Sequence, residues 1–282
     1  MSVKSKNKKF IFLAIWLSLI AAIIIGIICM WPPGEKHESI KELMLDGVMH
    51  ESNRIDLFGI EVNPGLISAY MVTAFLLLVA AIIRVFAIPK FKMVPGKFQI
   101  LIEKLVEFFA DMANANSHHK PGFVGAYIFS AGVYIFFSTL FELFGVQWIT
   151  THGISISLPA PISDINGAIA MGVLSYLIIL GAGIINGGVK GALGVLKDFS
   201  LPISMSFRLF GALLSGLLVT ELVYYYVGLS FVLPVIVGVM FTLLHALIQA
   251  YVLATLVSIF YGEAVEPKPK KIKTKKLKKR GN

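Results

Sequence analysis

The sequence predicts an all-α integral membrane protein with six transmembrane helices, the last two a long tilted hairpin, plus one interfacial amphipathic helix. Three observations carry this prediction. The 282 residues are 57% hydrophobic and 15% charged, with a mean hydropathy of +0.82, whereas a soluble domain is nearer half apolar and a quarter charged. Apolar runs long enough to cross roughly 30 Å of hydrocarbon, about 20 residues each, recur along the chain. Finally, Lys and Arg concentrate in alternate connections between those runs, as expected when basic loops stay on the cytoplasmic side.

The first run is Phe10–Trp31, preceded by KSKNKK. A cleaved signal peptide begins in the same way. Its 22 apolar residues exceed a usual signal core, and no small-x-small site precedes Trp31, so a retained helix is expected. Three further spans are Gly65–Ile83, Gly122–Phe141 and Ile165–Val189. From Phe199 to Gly262 the chain is apolar except for Arg208, Glu221 and His245, with turn-compatible Gly228 and Pro234 in the middle. This reads as a helical hairpin with arms at Leu201–Val227 and Val232–Gly262. At about 1.5 Å per residue the arms are roughly 40 and 46 Å long, so both overshoot the bilayer and must tilt, bend or protrude.

The connections fix the orientation. Residues 1–9 carry four basics, 89–121 carry five and 188–200 carry two, whereas 32–64 carry three against seven acids and neither 145–164 nor 222–244 has any. Six spans with both termini cytoplasmic satisfy every connection, which suits a multi-pass protein of the cell membrane. The formal net charge of +9 would suit a nucleic-acid binder, but residues 267–282 hold nine of the 25 basic residues and no acid. The basicity belongs to a Lys-rich cytoplasmic tail, expected to be disordered and close to anionic lipid; no nucleic-acid partner is expected. Residues 1–64 then form an N-terminal helix and outer loop, 65–266 the channel-like domain, and 267–282 the tail. A single cysteine, Cys29, excludes a disulfide framework. No cofactor or metal is expected.

Between the second and third spans, apolar Ile100, Leu101, Leu105, Phe108, Phe109 and Met112 recur at helical spacing within Pro95–Asn116, opposite Lys97, Lys104 and Glu107. That pattern is an amphipathic helix. It suits either the cytoplasmic interface or a partner surface.

An ionisable side chain inside a membrane helix costs at least about 2.5–3.5 kcal/mol, so the few present are functional candidates. Arg208 lies early in the fifth span, Glu221 near its outer end and His245 near the middle of the sixth. Each has a plainer role as well: snorkelling for Arg208, a bonded core position for His245, an interfacial carboxylate for Glu221. The neighbours of Arg208 favour function. Gly211 with Ser215 and Ala212 with Gly216 make small-xxx-small pairs on the face that carries the arginine, so another backbone can come close. A guanidinium there cannot exchange a proton, but it can attract a carboxylate and repel a passing cation. On the sixth span His245 and Gln249, four residues apart, offer a titratable ring and an amide, which suits a hydrated path.

The segments DFSLPISMSFRLFGALLSG (198–216) and LIQAYVLATLVSIFYGEAVE (247–266) resemble subunit a of the F-type ATP synthase membrane sector. The similarity extends through PGKFQILIEKLVEFF (95–109) and PISDINGAIAM (161–171), and so spans roughly residues 60–266. It implies a stator with two aqueous half-channels that pass protons or sodium ions to and from a rotating ring of c subunits. It also implies peripheral-stalk b subunits, an indirect link to the soluble ATPase sector, and a bilayer setting. The family's essential arginine falls on Arg208, with Gly211, Ala212, Ser215 and Gly216 on the face toward the ring. The glutamine of its final helix falls on Gln249, and Asp164 and Asn166 fall on polar positions at the start of the fourth span. Where many members have Asn four residues after the arginine this chain has Ala212. Leu217 replaces an acid or His, and Thr242 stands at the commonly polar position seven before Gln249. For the outer half-channel the candidates are therefore Glu221, His245, Gln249, Asp164, Asn166 and Glu142, all polar groups in or beside apolar spans. Glu221 is thirteen residues from Arg208, about 220° around a helix, and so faces away from the arginine's strip.

Without a P-loop, an HExxH motif or a nucleophile elbow, the chain is not expected to be an enzyme by itself. A secondary transporter would also use intramembrane charges, but that class shows internal repeats and matching broken helices, and neither is found in the sequence.

Overall fold

A computed structural model describes residues 55–57, 60–117, 121–149, 155–225 and 233–266, together with positions 16–18, 21 and 25. Most of the first span, the Lys-rich tail and residues 226–232 between the last two arms lie outside the described residues. Among the residues from 55 onward that are described, the α-helices are α1 (Pro64–Ile82), α2 (Lys97–Asn116), α3 (Pro121–Leu143), α4 (Ile165–Leu196), α5 (Ser200–Tyr225) and α6 (Leu233–Val265). Among the described residues, four helical stretches are long and apolar enough to cross a membrane: Pro64–Lys90, Pro121–Leu143, Ile165–Leu196 and Val235–Val265. The fifth helix, α5, is 26 residues long and carries Arg208.

Two compact units partition the chain. The first takes residues up to Ile82, Tyr134–Ala168 and Phe207–Gln249; the second takes Ile83–Val133, Ile169–Ser206 and the chain from Ala250.

In the first unit the connections read as loops from sequence contain four short strands among the described residues. Antiparallel β1 (Ile55–Leu57) and β2 (Ile60–Val62) pair Ile55 with Val62, and β3 (Gln147–Ile149) and β4 (Ser155–Ser157) pair Trp148 with Ile156. Both hairpins feed one apolar cluster: buried Ile55, Ile67 and Leu158, packed with Val62, Met71, Phe141 and Val146. This clustering explains why segments too short to hold as isolated hairpins are ordered. The strands are an addition to the all-helical expectation; the chain stays mostly helical. Between α3 and β3, Gly145 adopts φ 57°, a left-handed conformation that glycine tolerates, and its N–H closes the helix end on the Glu142 carbonyl at 3.1 Å.

The second unit departs from the sequence reading at α4. A single span over Ile165–Val189 followed by a loop was expected; instead the backbone turns at Gly188 (φ 56°, ψ −143°) and resumes helical geometry through Leu196. Along a continuous helix residues 183 and 191 would stand about 12 Å apart, yet a Cβ at Gly191 would fall on the Gly183 carbonyl oxygen. The chain therefore folds back on itself. A Cβ at Gly183 would lie 2.8 Å from Val195, and the Tyr176 hydroxyl donates to the Val195 carbonyl at 3.4 Å. The returning strand of chain leads into α5, where Gly172 of α4 leaves room for the Pro202 carbonyl, 2.9 Å from any added Cβ. The glycines at 183, 188 and 191 explain the reversal: Gly188 permits the positive φ, and Gly183 and Gly191 permit backbone contact.

The amphipathic helix α2 starts one residue after its Gly96 cap and packs by its C-terminal half. Phe109 and Ala113 are buried. Phe109 meets Phe129 of α3 edge-on at 5.7 Å, and a Cβ at Gly132 would sit 2.7 Å from its ring. Along α6, Ser258 donates to the Met112 carbonyl at 3.0 Å and Phe108 lies 6.4 Å from Tyr251. At the other end Phe98, Leu101 and Leu105 stay exposed, so the helix belongs to the bundle at one end and presents an apolar face at the other.

Candidate functional site

Every site candidate read from the sequence falls in the first unit: Glu142, Asp164, Asn166, Arg208, Gly211, Ala212, Ser215, Gly216, Glu221, His245 and Gln249. The fold brings some of them together.

Arg208 is exposed on α5, and so are Gly211 and Ser215 one and two turns on. About 100° round the helix Leu209 is buried, as is Met205. The helix thus turns its aliphatic side inward and its arginine outward, a consequence of 3.6 residues per turn. No ion pair among the described residues involves Arg208. Ser215 donates its hydroxyl to the Ala212 carbonyl at 2.8 Å, which satisfies it within its own helix. A Cβ at Gly211 would meet nothing within 4 Å. The arginine's strip is therefore thin and open.

Gly216 marks where α6 comes near. A Cβ there would lie 3.9 Å from His245 Nδ1, so the imidazole sits beside the end of the small-residue strip farther from Arg208. The same Nδ1 lies 2.8 Å from the Phe241 carbonyl one turn back, and the ring stacks at a tilt 5.7 Å from Phe241. One turn beyond His245, Gln249 is only 6% exposed, and its Oε1 is buried without a hydrogen-bond partner among the described residues. An unpaired buried amide oxygen costs about 1–3 kcal/mol. Such a cost in a mostly apolar helix points to function at that position.

A second polar group gathers where α1 and α4 begin. Asn166 Nδ2 lies 3.4 Å from Asp164 Oδ1, and the Asp164 carbonyl accepts from Ala168. Asn63 Oδ1 accepts from the Gly65 N–H at 2.8 Å, capping α1. Gly65 stands between them: an added Cβ would be 3.1 Å from Asp164 Cβ and 3.3 Å from Asn63 Oδ1. Sequence reasoning missed Asn63; its signal was the Asn-Pro-Gly start of a helix, with Pro at the first helical position. Glu142 is half-buried in the last turn of α3. The Glu221 side chain lies outside the described residues. Among the described residues no group of three His, Cys, Asp or Glu side chains could hold a metal ion.

The RLFG strip on α5 and the QAYV turn on α6 lie inside a longer match. The family model described as ATP synthase A chain matches residues 68–262. The chain belongs to that family. It is a multi-pass membrane protein and a subunit of the ATP synthase membrane sector. Within the matched residues of this ATP synthase A chain lie α2 to α5 whole and all but the ends of α1 and α6. Asn63 and Pro64, at the start of α1, lie just outside them.

Proposed function

We propose that this ATP synthase A chain is the stator's ion path: two half-channels that carry protons or sodium ions to and from the c-ring and so couple ion flow to ATP synthesis. The observation that carries the reading is Arg208, a permanent cation on an open, small-residue face with no ion pair among the described residues. A ring carboxylate that has lost its ion is drawn to the guanidinium, and the same fixed charge blocks a cation from crossing directly between the two paths. The outer path runs past His245 and Gln249, with Glu221, Asp164, Asn166 and Glu142 toward the outer surface. Water in that path offsets the desolvation of the Gln249 amide and explains its missing partner.

The topology proposed with it has six spans, both termini cytoplasmic and the last two arms a tilted hairpin. In an antiparallel pair that meets at Gly216 and His245, Gln249 stands level with Ala212, one turn from Arg208. The missing Asn at 212 thus faces an amide supplied from the other arm. The channel domain is 65–266, with the ring against the Gly211 to Gly216 strip and the b subunits on the same stator. Purification from membranes tests the assignment: the chain should come out with a ring of small hairpin proteins and a soluble ATPase, and vesicles holding that complex should acidify or load sodium on ATP addition. Ion transport by the chain alone, without ring or ATPase, would contradict it. Cysteines at 150–158 should label from outside; labelling from the cytoplasm would overturn the topology.

A further inference from the structure

The connection into α2 takes no part in the proposed ion path. It begins where a stretch long and apolar enough to cross a membrane ends, at Lys90. From Arg84 to Ile102 there are four basic residues, Arg84, Lys90, Lys92 and Lys97, and no acid. All four are exposed. Between Lys92 and Lys97 the chain carries an apolar tip, with Met93 fully exposed and Val94 85% exposed.

Gln99 holds this tip in place. Its Oε1 accepts from the Lys92 N–H at 3.0 Å, and its Nε2 donates to the Lys92 carbonyl at 3.0 Å and to Glu103 Oε1 at 2.7 Å. The side-chain amide thus satisfies both backbone groups of Lys92, closes the loop onto α2 and keeps Lys92 and Lys97 on either side of Met93 and Val94. The first turns of α2 continue the pattern. At about 100° per residue, exposed Phe98, Leu101 and Leu105 fall within about 60° of one another, Lys97 and Lys104 border them, and Glu103 and Glu107 lie about 160° from Leu105. Apolar side chains edged by lysines, with the acids turned away, suit a headgroup layer: the apolar groups reach the acyl boundary and the ammonium groups stay beside phosphate. Any lipid would cover the apolar tip. A basic run directly after a span selects anionic headgroups, with each cation near such a surface contributing about fivefold.

We infer that the loop Lys90–Lys97 is an anionic-phospholipid site, in which Met93 and Val94 enter the acyl boundary while Lys90, Lys92 and Lys97 neutralise the headgroup phosphate. The inference rests neither on the ion path nor on which side of the membrane the loop faces.

Photocrosslinking tests this on the intact complex in nanodiscs of equal phosphatidylglycerol and phosphatidylcholine, with p-benzoylphenylalanine in place of Met93 and the adducts identified by mass spectrometry. The loop with its lysines intact should give mainly phospholipid adducts, with phosphatidylglycerol enriched at least about tenfold over phosphatidylcholine. With Lys90→Gln, Lys92→Gln and Lys97→Gln combined, lipid adducts should persist, but the two lipids should come within about twofold of each other. All three side chains are exposed, so this variant should assemble, and co-purification of the ring and the ATPase checks that it has. Equal adducts of the two lipids with the lysines intact, adducts chiefly to polypeptide, an absence of lipid adducts, or an undiminished preference in the triple variant would each overturn the inference. The arm with intact lysines decides between lipid and polypeptide by itself.

Discussion

The second unit and the arginine's strip of the first unit treat polar groups and glycines in different ways. In the second unit polar side chains are tied off: Tyr127 bonds Ser175 at 2.8 Å, Ser206 bonds the Pro202 carbonyl at 2.7 Å, and Ser258 bonds the Met112 carbonyl at 3.0 Å. Its glycines at 172, 183, 191 and 262 are contact points, each with a neighbouring atom where a Cβ would go. In the first unit, by contrast, the arginine's strip is open, Gly211 faces empty space, and the buried Gln249 oxygen has no partner among the described residues. The second unit uses these four glycines for packing within the chain, whereas the first, which packs Gly65 and Gly167 in the same way, leaves Gly211 at a surface. Without bulk water to satisfy stray groups inside a bilayer, unsatisfied polarity and vacant small-residue faces are expected only where something else must pass or dock.

Substitutions can break this contrast. The largest effect should come from Gly191→Val, which places a side chain on the Gly183 carbonyl. Overpacking of that kind should cost about 3 kcal/mol or more, seen as loss of assembled complex from membranes. Gly211→Val should assemble at wild-type yield but lose most ATP-driven pumping, because its Cβ is free within the chain and obstructs only a partner. Equal yields for the two variants would dissolve the distinction.

Gln249→Leu sharpens it. Removing an amide with an unpaired oxygen should leave thermal stability unchanged or raise it by about 1 kcal/mol, while turnover drops about tenfold from loss of a polar step in the path. A variant that is less stable and fully active would make Gln249 structural. His245→Ala should slow turnover by a smaller factor, because it removes one polar ring from the path. Wild-type turnover without the imidazole would remove His245 from the path. The smallest effect is at Asn63→Ala, which deletes the cap of α1: about 1 kcal/mol less stable, measured by thermal unfolding in detergent, with turnover unchanged.

How far the sequence reaches follows the same physics. The apolar runs at Gly65–Ile83 and Gly122–Phe141 match α1 and α3 to within two residues, since length and hydropathy alone decide whether a run can be a membrane helix. The amphipathic period of 95–116 was equally plain, because its charges sit opposite its apolar stripe. What held the helix stayed hidden: Phe109, Ala113 and Met112 meet α3 and α6 through contacts over a hundred residues distant in sequence for α6. The reversal at Gly188 was masked because the run stays apolar on both sides of it, and hydropathy does not register direction. Three-residue strands such as Ile55–Leu57 carry almost no local signal; their order comes from Ile67 and Leu158. At the candidate site, charge in an apolar helix singled out Arg208 and His245 directly. That Gly216 lies beside His245, and that the Gln249 oxygen is unpaired, needed coordinates.

The central claim is that Arg208 separates two ion paths by its charge, and one comparison tests it most directly. Vesicles containing the complex are assayed for ATP-driven ion pumping and for passive leak, with Arg208→Ala and Arg208→Lys set beside the wild type. The account predicts no coupled pumping and an increased leak for Arg208→Ala, with Arg208→Lys retaining at most a fraction of pumping, since it keeps the charge but not the guanidinium fork. Wild-type pumping by Arg208→Ala, with no added leak, would contradict it.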